Sequence, residues 1–147
     1  MQNQTQQHPN IVLLRGACLW LLMALLLAWC MVGLFLDLPI LKAIFQGEFS
    51  RLLQAHLDFL IMTALILGIY AVKTPLPWHV RWAMVVGAFT NSSLFLLQAM
   101  FPLLDNPEIP QPLAFKIYLY ASLLTTSYGF GKAVVIILKS TFKPNVS

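Results

Sequence analysis

The sequence predicts an all-α protein, an integral membrane bundle of four helices, on three observations. First, the chain of 147 residues is 59% hydrophobic and only 10% charged, where a soluble domain carries about 25% charged residues. A single water-soluble core of this size has no room for so much apolar surface. Second, four windows reach the ~20 apolar residues that cross a bilayer, at about 12–36, 52–72, 80–101 and 113–138. Third, prolines gather between the windows, in "LDLP", "KTPLPWH" and "FPLLDNPEIPQP", where a missing N–H interrupts no helix. Lipid offers the backbone no partners, so segments this long must be helices. The short alternating segments of a membrane barrel are not in the sequence.

The opening "MQNQTQQHPN", residues 1–10, is polar and predicts a disordered tail. It has neither a basic n-region nor a small-residue cleavage pattern, so no removed signal peptide is expected. "NQT" in this tail and "NSS" inside the third window match the glycosylation pattern, but neither position suits an exposed loop. The first span carries Cys18 and Cys30, ~18 Å apart along one helix, too far to bond to each other. No CxxC spacing is present, so neither zinc nor thioredoxin chemistry is signalled. Trp20 and Trp29 in the same span are expected to pack or to face lipid.

The second span opens "RLLQAHLDFLIM", which puts His56 and Asp58 into a segment that lipid should surround. Polar groups at that depth need partners. Two residues apart, they point ~200° away from each other. Either one faces lipid or the helix is buried on two sides, and the cheaper second option implies a subunit interface. His56 has two readings, an interfacial histidine satisfied by water or a carbonyl, or a metal or haem ligand. Asp58 is either paired with Arg51 or Lys116, or part of a site.

In the third span Gly87, Asn91, Phe95 and Gln98 recur at i, i+4, i+8 and i+11, one helical stripe. Such a stripe either hydrogen-bonds a neighbouring helix or lines a pocket. The fourth span brings Tyr118 and Tyr120 near one interface, where a tyrosine belt is common. Ser122, Thr125, Thr126 and Gly129 form a small-residue face suited to close packing, and Lys132 snorkels.

The net charge of +4 is spread over the ends of the spans rather than clustered, which excludes a nucleic-acid surface. Arg15, Lys73, Arg81, Lys139 and Lys143 fall on one side. Lys42, Arg51 and Lys116 share the other with Asp37, Glu48, Asp105 and Glu108. The positive-inside rule then places both termini in the cytoplasm of a bacterial inner membrane. No internal repeat supports a duplicated transporter. No nucleophile–base pair, phosphate loop, carboxylate cage or thiolate cluster appears either. One histidine in apolar surroundings suits a haem better than a bare ion, which needs three or four ligands.

"QAHLDFLIMTALILGIY" followed by "GAFTN" resembles the small four-helix membrane isomerases, the hydroxylaminobenzene mutases and styrene oxide isomerases. The mutases share the Ala-His-Leu-acid start that Ala55, His56, Leu57 and Asp58 make here. Both groups carry an asparagine midway along the third helix, matched by Asn91. In the epoxide isomerases a proline follows it at the distance of Pro102. The resemblance covers residues 51–102 best. It implies a homo-trimer with haem b at the subunit interface, bound by the histidine that matches His56. There ferric iron acts as a Lewis acid on the substrate oxygen, and a hydride shift turns an epoxide into an aldehyde with no net redox change. Three positions depart from the epoxide isomerases. Phe95 replaces a tyrosine, Gly87 an aspartate and Met62 an asparagine.

The expected function is therefore a haem b-dependent isomerase rearranging a small lipophilic substrate, an epoxide or a hydroxylaminoarene. The competing expectations are a non-catalytic haem sensor or carrier and a cofactor-free structural subunit. In the expected site His56 binds iron and Gly87, Phe95, Gln98 and Met62 surround the cofactor. Asn91, Tyr118, Tyr120 and Asp58 are the expected catalytic groups. The expected partners are the substrate, membrane lipid and further copies of the chain. A single domain over residues 11–139 ends in a short cytoplasmic tail, 140–147.

Overall fold

A computed structural model describes residues 10–142. Four long helices are apolar enough to span a membrane. They are α1 (Ile11–Phe35), α3 (Phe49–Ala71), α4 (Trp78–Met100) and α5 (Leu113–Thr141). The sequence-predicted spans agree with them to within three residues at each end. Two short elements escaped prediction, α2 (Pro39–Ile44) and a 3-10 turn (Pro102–Leu104). Both begin at a proline that fills the first helical position, where no N–H is needed.

The chain leaves α1 through a Schellman turn. Leu38 N–H donates to Gly33 O (3.0 Å) and Asp37 N–H to Leu34 O (3.1 Å), with Asp37 left-handed at φ 60°. Lys42 Nζ lies 2.7 Å from Asp37 Oδ1. That hydrogen bond, aided by the ammonium's charge, holds the Asp37 carboxyl below the usual carboxylate range. The residue expected to end a disordered tail, Asn10, belongs instead to the fold. It is buried, its Nδ2 donates to Thr74 O (2.7 Å), and its Oδ1 accepts from Leu76 N–H (3.2 Å). The α3–α4 loop would otherwise leave those two backbone groups unpaired. The rest of the expected tail, residues 1–9, and Lys143 lie outside the described residues. At the other end α5 runs on to Thr141 and absorbs the first two residues of the expected C-terminal tail.

α4 is the centre. Of its most apolar window 44% is buried, against 17%, 28% and 17% for α1, α3 and α5. α1, α3 and α4 pack against one another, and α5 packs along α4 without comparable contact to α1 or α3. The bundle is thus open between α3 and α5. One apolar cluster, at the end where α1 begins and α5 finishes, holds Leu13, Ile66, Val80 and Met84; the other holds Leu27, Leu52, Phe59 and Ala99. Phe35, Trp29 and Leu22 stay exposed at 86%, 74% and 64%, the surface a bilayer covers.

The α4–α5 seam is set by two glycines. A Cβ on Gly129 would meet the backbone of Met84 at 2.6 Å, and one on Gly87 would meet the backbone of Thr126 at 2.8 Å. Gly131, two residues from Gly129, has nothing within 4 Å of its Cβ position. Gly129→Ala should therefore lower the thermal stability of detergent-purified protein, by about 1–3 kcal/mol of overpacking. Gly131→Ala should leave it unchanged or higher. Thermal unfolding followed by circular dichroism measures both.

Candidate functional site

His56 lies seven residues into α3, ~10 Å along its axis. Its Nδ1 is 2.8 Å from the backbone carbonyl of Ala24 on α1. A carbonyl only accepts, so Nδ1 carries the proton and Nε2 the lone pair. Nε2 makes no hydrogen bond among the described residues, and it is not one of their buried unpartnered atoms. The lone pair therefore reaches the chain's own surface. The ring's mount is stiff. One turn from Ala24, Trp20 stacks on Phe89 at 4.8 Å, and its Nε1 donates to Val85 O (3.0 Å). Phe59, three residues after His56, tilts against both rings at 6.2 and 6.1 Å.

Asp58 faces the other way, as its ~200° offset from His56 requires. Its Oδ2 accepts from Asn91 Nδ2 (2.9 Å) and Ser92 Oγ (2.8 Å) on α4. The cation expected for it is elsewhere. Arg51 donates from Nε to Asp105 Oδ2 (2.7 Å), with a second, parallel bond from Nη2 to Oδ1. This fork ties the start of α3 to the α4–α5 loop. The two-sided burial of α3 expected from His56 and Asp58 is real, but α1 and α4 of the same chain supply both sides. It does not by itself require a second subunit.

The remaining expected residues disperse. Tyr118 donates to Ser93 Oγ (2.7 Å), because the Ser93 hydroxyl's own proton goes to Thr90 O (2.9 Å). Tyr120 is 65% exposed and makes no hydrogen bond among the described residues. Gly87 lets α5 approach, and its carbonyl accepts from Thr126 Oγ1 (2.9 Å). Phe95 packs on the cluster around Phe59. Gln98 is half-buried, and Met62 lines a cavity between α3 and α5.

One chain thus brings Asp58, Asn91 and Ser92 together, and Tyr118 with Ser93. It gathers neither group onto His56, which sits on the α1 side of α3. Sequence reasoning missed Ser92 and Ser93, which needed the α3–α4 and α4–α5 registers. It also missed the pair of His79 and Tyr128, whose hydroxyl lies 2.9 Å from His79 Nδ1 with the rings stacked. Among the described residues no group of three or more His, Cys, Asp or Glu side chains could hold a bare metal ion. Of the expected site, what remains chemically is one presented imidazole and one hydrogen-bonded carboxylate, on opposite edges of a single helix.

Compared with protein-family models, curated proteins and solved structures, the chain matches none.

Tyr118→Phe removes a buried-seam donor and should cost about 0.5–1.5 kcal/mol of stability. Tyr120→Phe, on the exposed face, should cost nothing measurable. Denaturation in mild detergent separates the two.

Proposed function

We propose that this chain is a haem b-binding protein of the bacterial inner membrane. In this reading His56 Nε2 is the iron ligand and the work is redox-neutral rearrangement of a small lipophilic substrate. The observation that carries it is the Nδ1–Ala24 contact. Metal-bound histidines characteristically donate their other ring N–H to a carbonyl or carboxylate, which sets the tautomer and raises the basicity of the ligating nitrogen. A haem asks the protein for one such nitrogen and an apolar face. Around His56 the exposed Leu53, Leu57 and Leu25 supply the apolar surface. The donor set therefore fits a haem, and it does not fit a bare ion.

Held through His56, ferric haem would supply a Lewis acid for an epoxide or N-hydroxy oxygen. The protein's share is to aim the imidazole, exclude water and orient the substrate. Asn91 and Asp58 match or neighbour positions that the resemblance to the small membrane isomerases assigns to the site. On one chain they lie across α3 from His56, so a shared site requires them from a neighbouring copy, in keeping with a homo-oligomer. Arg15, Lys73 and Lys139 lie at the end where α1 begins and α5 finishes, which supports a cytoplasmic position for that end by the positive-inside rule.

A second reading, a haem protein without catalysis, is favoured by one observation. Gly87, Phe95 and Met62 provide no polar group, and Asp58 and Asn91 are already engaged with each other.

Purified in detergent and supplied with haem, the wild-type protein should show a Soret band that His56→Ala abolishes. A colourless protein, or a band indifferent to His56, overturns both readings. Gas chromatography of incubations with styrene oxide and hydroxylaminobenzene then divides them. Rearranged product supports the isomerase, and a coloured protein without product supports the carrier or sensor.

A further inference from the structure

The opening between α3 and α5 forms an open groove of about 610 Å³, within the ~300–1,000 Å³ of ordinary small-molecule sites. Met62, Leu65 and Gly68 line it from α3, and Thr126, Phe130 and Gly131 from α5. Gly68 and Gly131 have open space where a Cβ would stand. Nothing within the chain requires either to be glycine, and glycine inside a helix is less favourable than alanine.

Polar groups stand one helical turn beyond the lining at the Met62–Thr126 end. Met62, Leu65 and Ile69 line the wall from one face of α3, and Asp58, four residues before Met62, lies on that same face one turn beyond the lining. Its step beyond Met62 is ~6 Å. Across the opening, Thr126 bonds Gly87, one turn from Asn91. One turn before Thr126 on α5 stands Ser122, 2% exposed, with a hydroxyl that has no partner. Asp58 spends Oδ2 on Asn91 and Ser92, whereas Oδ1 makes no hydrogen bond and is not buried. A carboxylate at membrane depth calls for a cation or a further donor, and Arg51 is committed to Asp105.

We propose that this groove is a lipid-facing binding site for a lipophilic amine. The hydrocarbon or aromatic body lies between Met62 and Phe130, and the ammonium meets Asp58 Oδ1. Within one chain the groove lies across α3 from His56, and amine binding there does not need haem. An amine matches the groove in charge as well as shape, because its N–H donors satisfy Oδ1 and its charge offsets that of the carboxylate. A fatty acid or a plain hydrocarbon matches only the shape, and a fatty acid would set two carboxylates together.

The test uses the full chain in phosphatidylcholine nanodiscs and three photoreactive probes of equal length: a diazirine alkylamine, its carboxylic acid and its hydrocarbon. Labelled residues are mapped by mass spectrometry. The amine should label residues 62–69 and 126–131 at least about tenfold more than the other two probes, an affinity gap of about 1.4 kcal/mol, and excess octylamine should displace it. Asp58→Asn should remove that preference. Gly131→Leu and Gly68→Leu, whose side chains enter open space, should block labelling in protein that elutes as the wild type does; they decide the matter if Asp58→Asn fails to fold. His56→Ala should lose any haem and keep the labelling. Equal labelling by hydrocarbon or acid, or amine labelling that survives Gly131→Leu, overturns the proposal.

Discussion

Lipid accepts no hydrogen bonds, so a polar side chain inside a span does best with a partner on its own helix backbone, on another helix or at a surface. That constraint organises this protein. Each helix seam is marked by side chains bonded across it: Trp20 to Val85 O and His56 to Ala24 O around α1, Asp58 to Asn91 and Ser92 between α3 and α4, and Tyr118 to Ser93 and Thr126 to Gly87 O between α4 and α5. Each bond is worth only about 0.6–2 kcal/mol in a membrane. Their larger effect is on register, since a helix slipped by one residue would leave several polar groups facing hydrocarbon.

The same constraint separates two chemistries. α3 is flanked by α1 and α4, so its two ionisable residues serve different seams. The imidazole is turned so that one nitrogen is satisfied by backbone and the other is presented outward. The carboxylate is half satisfied by α4, through Oδ2, and keeps Oδ1 without a hydrogen bond. α5 makes that opening because it is held close to α4 by Gly87 and Gly129 and has no comparable contact with α3.

The four spans and their joints were legible in the sequence because apolar length and proline position are local signals. α2 was not, since six residues between two spans carry too short a pattern to stand out. The opposite directions of His56 and Asp58 followed from their spacing alone. Which partners they meet did not. α1 is apolar on every side, so nothing in its sequence marks Ala24 as the face that meets α3. Asp58 was expected beside Arg51 or Lys116, and only the path of the α4–α5 loop brings Asp105 to Arg51 instead. Asn91 was recognisable as a polar residue that belongs against protein. Ser92, its neighbour on Asp58, became visible only with the α3–α4 register. The stripe of Gly87, Asn91, Phe95 and Gln98 was real as a periodicity, yet Gly87 meets α5, Asn91 meets Asp58 and Phe95 packs with the Phe59 cluster.

The account turns on one nitrogen, His56 Nε2, carrying a lone pair that faces away from the chain. Nitrogen-15 NMR of histidine-labelled protein at neutral pH reads it directly, before and after addition of a diamagnetic gallium protoporphyrin. The account predicts that His56 is protonated at Nδ1, and that its Nε2 resonance alone moves when the porphyrin binds. A proton found on Nε2, or an Nε2 resonance unmoved by the porphyrin, would contradict it.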